Sequence, residues 1–154
     1  MKPVRNVLYL VLLAFLATAC GPANNVRLMP PPFMEGGVLP GPKAPRVTVV
    51  AFEDKRQDQT VIGSRRDNSA FVTSDSVTQW ISKALADELA RNGLQVSYAD
   101  SVNQARAGNP DYLVTGDVDQ VWLKENSATD LATNMRVNYA LANRQGRIYS
   151  ETLN

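Results

Sequence analysis

The densest run of chemically capable side chains lies between Glu53 and Asn68, where Glu53, Asp54, Asp58 and Asp67 are interleaved with Lys55, Arg56, Arg65 and Arg66. Paired carboxylates divide general-acid and general-base work when their environments separate their pKa values. Asp54 and Asp58 would then be a glycosidase pair directed at a peptidoglycan-like polymer. The neighbouring arginines oppose this, because direct pairing favours the ionised carboxylate over the raised pKa a general acid needs. The preferred reading is that Asp54, Arg56, Asp58, Arg66 and Asp67 fasten a long loop through charge-assisted hydrogen bonds, or offer a partner a polar recognition surface. No catalytic residue is assigned. The chain has no histidine, which removes Ser-His and Cys-His nucleophile systems and imidazole metal sites. Its single cysteine excludes an internal disulfide framework and a multi-cysteine zinc cluster. Asp54 and Asp58 lack the ligand density of a calcium loop, and Gly63-Ser64-Arg65-Arg66 lacks the spacing and lysine of a phosphate loop. No metal and no cofactor are expected. A formal charge of +1 gives no electrostatic case for nucleic-acid binding.

The elements that position this loop follow from hydrophobic periodicity. With 44% hydrophobic and 20% charged residues, the 154-residue chain has material for one core. Val47-Thr48-Val49-Val50-Ala51-Phe52 is β-branched and apolar on both faces, as in a strand covered on both sides. A polar loop is read from Glu53 to about Thr73. Val77, Trp80, Ile81, Ala84, Leu85 and Leu89 then form one apolar stripe of a helix over about 76–92, with all six side chains in the core. Ser76 and Gln79 make a capping box, and Gly93 takes the left-handed C-cap position. Strands are predicted over 94–98, 111–124 with a bulge at Gly116, 135–141 and 147–153, and one or two helical turns within 100–107. The 126–130 run is a hairpin connection, and Asn143-Arg144-Gln145-Gly146 is a turn. The fold class is α+β: a five-stranded, mostly antiparallel sheet with one main amphipathic helix packed on one face. A strand apolar on both sides then needs further cover, from another copy, a partner or a C-terminal helix that would follow Asn154.

Ahead of this domain, assigned to residues 46–154, stand two segments of different character. Residues 1–19 carry Lys2 and Arg5, an apolar run from Val7 to Leu16, and small residues before Cys20, the three parts of a secretory signal. The 13 residues from Val7 to Ala19 would span roughly 20 Å as a helix, short of a hydrocarbon core of about 30 Å. Residues 21–45 hold seven of the nine prolines, and the 20–45 segment reads as a tether that lifts the domain off a surface.

The segment ending at Cys20 resembles a bacterial lipoprotein signal, which implies a diacylglyceryl thioether and an N-acyl chain such as palmitate on Cys20. Multiple acyl chains anchor stably where one is marginal. Removing Lys2 and Arg5 with the signal takes the formal charge from +1 to −1. Gly21, in place of an inner-membrane-retaining aspartate, implies the periplasmic face of the outer membrane. Beyond the signal, the first strand runs into Asp54-x-Arg56-x-Asp58-Gln59, then Arg66-Asp67-Asn68, then the helix ending near Gly93-Leu94-Gln95-Val96. This pattern resembles the YajG-type lipoprotein family, small envelope proteins of Gram-negative bacteria without an established enzymatic activity. The resemblance implies a non-enzymatic protein with the bilayer as one partner, through Cys20, and an envelope protein or a second copy as the other. The two alternatives within this reading are an accessory lipoprotein of a peptidoglycan synthase or lipid-transport complex, and a homo-oligomeric structural component.

Overall fold

The structure, a computed structural model, describes residues 24–30 and 36–154. The signal, Cys20 and Pro31-Pro32 lie outside the described residues. Eight strands form one sheet: β1 (Arg46–Val50), β2 (Glu53–Asp54), β3 (Val61–Ser64), β4 (Ala70–Val72), β5 (Gln95–Ala99), β6 (Tyr112–Ser127), β7 (Asp130–Asn143) and β8 (Gly146–Leu153). Two helices accompany it, α1 (Val77–Arg91) and α2 (Val102–Ala107).

The architecture is organised around β6, the longest strand at 16 residues. One of its edges takes β1, β2 and β3 in succession, all parallel, at Tyr112–Val114, Asp117–Val118 and Leu123–Lys124. The other edge is paired antiparallel with β7 from Leu113↔Ala142 to Ser127↔Asp130, and β8 pairs with β7. Outside β1 lies β5, parallel, and outside β3 lies β4, antiparallel.

Two expectations are corrected here. The sheet is mixed and eight-stranded, not five-stranded and mostly antiparallel, because a strand–helix–strand run returns its second strand parallel to the first. The 53–73 stretch, read as loop, contributes β2, β3 and β4; each is short and forms by pairing to an edge already in place.

The helices explain why β1 carries buried valines on both of its faces. The chain passes β1–α1–β5 outward and then β5–α2–β6 back across β1. Crossovers of one hand place two such helices on opposite faces. Val47 and Val49 accordingly pack with Ala86 of α1, whereas Val50 packs with Ala99 and with Ala105 of α2. A single main helix is thus right for one face, and α2 covers part of the other.

α1 begins at Ser76, whose Oγ accepts from the Gln79 backbone N–H at 3.3 Å. It ends in a Schellman arrangement: Gly93 N–H donates to Ala90 O and Leu94 N–H to Leu89 O. Gly93 has φ +84°, a conformation glycine takes without steric cost. Val77, Ser82 and Ala86 are buried on the inner face, and Ser82 Oγ donates to Thr78 O at 2.8 Å. Trp80 departs from the expected core stripe; it is 36% exposed and its indole N–H donates to Met29 O at 2.7 Å.

Gly116 also differs from expectation. The β6–β7 register runs unbroken through Gly116↔Tyr139, and its two irregularities fall between Val118 and Gln120 and between Glu125 and Ser127. The glycine is required by close approach: a Cβ there would lie 2.6 Å from Asn138 O and 2.9 Å from the buried Phe52 ring. Gly116→Ala should therefore lower stability by about 1–3 kcal/mol, the usual cost of overpacking. Urea unfolding checks this, with a lower midpoint and an unchanged slope expected.

Candidate functional site

Asp54 ends β2, and Arg56 follows two residues later. Arg56 Nε donates to Asp54 Oδ1 at 2.9 Å and Nη2 to Oδ2 at 2.7 Å, a bidentate pair. Nη2 also donates to Gln59 O at 2.9 Å, so the guanidinium ties β2 to the far side of the loop. The Arg56 side chain is 5% exposed and that of Asp54 16%. Desolvation pushes the Asp54 carboxyl upward, but the hydrogen bonds and charge of Arg56 outweigh it and leave the pKa lowered.

Asp58 closes the next turn. Its Oδ1 accepts from the backbone N–H groups of Thr60 at 2.8 Å and Val61 at 3.0 Å, and from Thr60 Oγ1 at 2.7 Å. The Val61 backbone bond leads in lowering its pKa, followed by those from Thr60. Asp67 does the same at the β3–β4 turn, where the Ser69 hydroxyl and then its backbone N–H lower the carboxyl. There Asn68 takes φ +63° and Arg65 Nε donates to Glu125 Oε2 at 3.1 Å. The exposed Arg66 enters through its backbone N–H, which reaches the same Glu125 oxygen at 3.3 Å.

The five candidate residues therefore form two separate groups. Arg56 and Asp58 line an open groove of about 600 Å³ beside β6, together with Gln120, Trp122 and Arg136, and Asp54 joins them through its ion pair with Arg56. Arg66 and Asp67 lie beyond β3, at the level of the C-terminal half of β6. Neither group resembles an acid–base pair, since Asp54, Asp58 and Asp67 are all held toward the ionised form. Among the described residues, no cluster of three or more Cys, Asp or Glu side chains is arranged to hold a metal ion. Among them also, no helix is long and apolar enough to cross a membrane.

A second surface is absent from the reading of the polar loop. Val137 is buried in the core, and alternation along β7 puts Met135 and Leu131 on its face. The register Val137↔Leu153 and Leu141↔Tyr149 adds β8 to that face. α1 packs over β5, β1 and β2, leaving this half open. Leu131 is 56% exposed, Met135 42%, Tyr149 49% and Leu153 50%, and every residue of β8 is exposed. Tyr139 and Tyr149 both donate to Glu151 Oε2, at 2.9 and 2.7 Å. Glu151 leads in pushing the Tyr149 hydroxyl up to about 12. The Met135–Leu141 alternation carried the signal for this face in the sequence; the reach of the helix across it did not show there.

No family model matches the chain, and no curated protein matches it by sequence. Among solved structures it is similar to a PelC dodecamer from Paraburkholderia phytofirmans, at 18% identity and TM-score 0.52 over 75% of this chain and 74% of that one. It is also similar to a protein from Helicobacter pylori described as a neuraminyllactose-binding hemagglutinin homologue, at 13% identity and TM-score 0.50 over 83% and 70%. A looser likeness, to a lipoprotein from Neisseria meningitidis, has 13% identity and TM-score 0.43 over 71% and 80%. At these identities the first two likenesses show a shared fold. The YajG-type resemblance is a finer statement, and it rests on the quoted residues alone.

Two outcomes follow from the loop. Arg56→Ala strands a partly buried carboxylate and should cost about 1.5–3 kcal/mol, the range for hydrogen bonds to charged groups; chemical denaturation measures it. The lowered carboxylates contribute stability that is present at neutral pH and is lost as pH falls below about 4 through their folded values. Asp58→Asn keeps an accepting oxygen without the titration, so its stability should fall less than wild type between pH 7 and pH 3. Parallel curves would contradict that assignment.

Proposed function

We propose that this chain is a lipid-anchored lipoprotein of the bacterial envelope, held at the periplasmic face of the outer membrane by acylated Cys20, and that it works by assembly rather than by chemistry. The open apolar half of the sheet carries the reading. Leu131, Met135, Tyr149 and Leu153 extend the core face past the reach of α1, beside an edge strand with unpaired backbone groups. Contiguous apolar surface next to an open edge marks an interaction site, and exposed edges pair readily with other chains. The occupant proposed is a second copy of this chain. The shared fold with a protein solved as a dodecamer supports that choice, as does the absence of strong net charge that would drive copies apart. The lipobox-like run ending at Cys20 and the YajG-type pattern support the anchor. The polar loop supports a non-enzymatic role, because its carboxylates are committed to turns and to Arg56.

Native mass spectrometry of the mature acylated chain in detergent tests this. Multimers are expected for wild type, and protomers for Met135→Lys with Leu153→Lys at unchanged thermal unfolding. A protomer for wild type at all concentrations would overturn self-assembly and leave an accessory role beside a different envelope protein.

A further inference from the structure

The stretch expected to be a free tether is, where described, built into the domain. Residues 24–30 run along the open side of β4: Val26 N–H donates to Val72 O at 2.7 Å, and Val72 N–H donates to Asn24 O at 3.0 Å. The bridge between Asn25 and Val72 is parallel, so this segment extends the sheet by a rudimentary strand. Its beginning is fixed at the β3–β4 turn, where Asn24 Nδ2 donates to Ser69 Oγ at 3.0 Å and Asn24 Oδ1 accepts from Arg65 Nη1 at 3.0 Å. Its end is fixed at the start of α1, where Leu28 N–H donates to Asp75 Oδ2, just ahead of the cap, at 2.8 Å and Trp80 Nε1 donates to Met29 O at 2.7 Å. Further along, Val38 N–H donates to Arg91 O at 2.9 Å, so the segment is held against both ends of the helix.

We infer that the docked segment sets the orientation of the domain on the bilayer, with the β3–β4 turn and its exposed Arg66 meeting the phospholipid headgroups. This rests on the Cys20 anchor proposed above. From Cys20 to Asn24 there are four Cα–Cα steps, about 15 Å at full extension at 3.8 Å each. A free 25-residue tether would impose no such limit. Asn24 touches Ser69, so the β3–β4 turn lies within that reach of the acyl chains, whereas the β7–β8 turn lies at the opposite end of β6. Ser64 pairs with Lys124 and Ala142 with Leu113, 11 residues apart on β6, or roughly 37 Å at 3.4 Å per residue. The Arg66 side chain is exposed and makes no ion pair among the described residues, which leaves its guanidinium for headgroup phosphate.

The experiment places photoreactive benzoylphenylalanine at residue 66 or at residue 145 of the mature acylated chain in phosphatidylethanolamine–phosphatidylglycerol vesicles. Lipid adducts are expected from 66 and not from 145. Val26→Pro, which removes the donor to Val72 O, should abolish the contrast, and Trp80→Phe, which deletes only the donor to Met29 O, should weaken it. Equal adducts from both positions in wild type, or a contrast that survives Val26→Pro intact, would overturn the inference. Intact mass separates the two readings: a chain lacking acyl groups refutes the anchor alone, and a maleimide phospholipid attached to Cys20 then carries the same comparison.

Discussion

Both edges of β6 are paired, and nearly everything else in the molecule depends on that. A single 16-residue strand serves as the template for β1, β2 and β3 on one side and for β7 on the other. Strands of two to four residues are not stable on their own. They persist because the backbone groups of β6 are presented in register over its whole length. The same strand forces close packing where Phe52 crosses its face, which is why Gly116 has no side chain.

That dependence explains which parts of the fold were legible. α1, β5, β6 and β8 show their own period and were read to within about three residues, whereas β7 begins at Asp130, five residues before the alternation read from Met135. β2, β3 and β4 carry no period of their own, since their order comes from the partner strand rather than from their side chains. The parallel arrangement was hidden for a different reason: apolar alternation records which face is buried, not the direction of the neighbour. Trp80 lies at the margin of a stripe whose centre is Val77, Ser82 and Ala86, and a helical period alone does not separate centre from margin. Residues 24–30 look like linker because, apart from the Asn24 amide, they attach through backbone groups, which leave no mark in side-chain composition.

The candidate site was legible in its chemistry more than in its grouping. Asp54 and Arg56 pair as their spacing suggests, and Asp58 and Asp67 cap turns in the manner usual for aspartate. Their separation into two clusters could not be seen, because it requires β3 to lie between them along β6. Within the loop, Arg56 reaches Gln59 O and Asp58 accepts from the Val61 N–H, which links the end of β2 to the start of β3. The proposed function rests elsewhere, on an apolar half-face beside an open edge and on an N-terminal segment that, with Cys20 acylated, would limit how far the domain stands from the bilayer. Under the proposed function both features would bring copies of the chain together in a plane, since confinement to a membrane raises effective concentration without any added contact.

The central claim is that the β7–β8 face is covered by a second copy of this chain. The most direct measurement is photo-cross-linking in intact cells with benzoylphenylalanine at residue 135. The account predicts an adduct of twice the mature mass containing peptides of this chain only. An adduct made solely with a different envelope protein, or none at all from a folded and acylated chain, would contradict it.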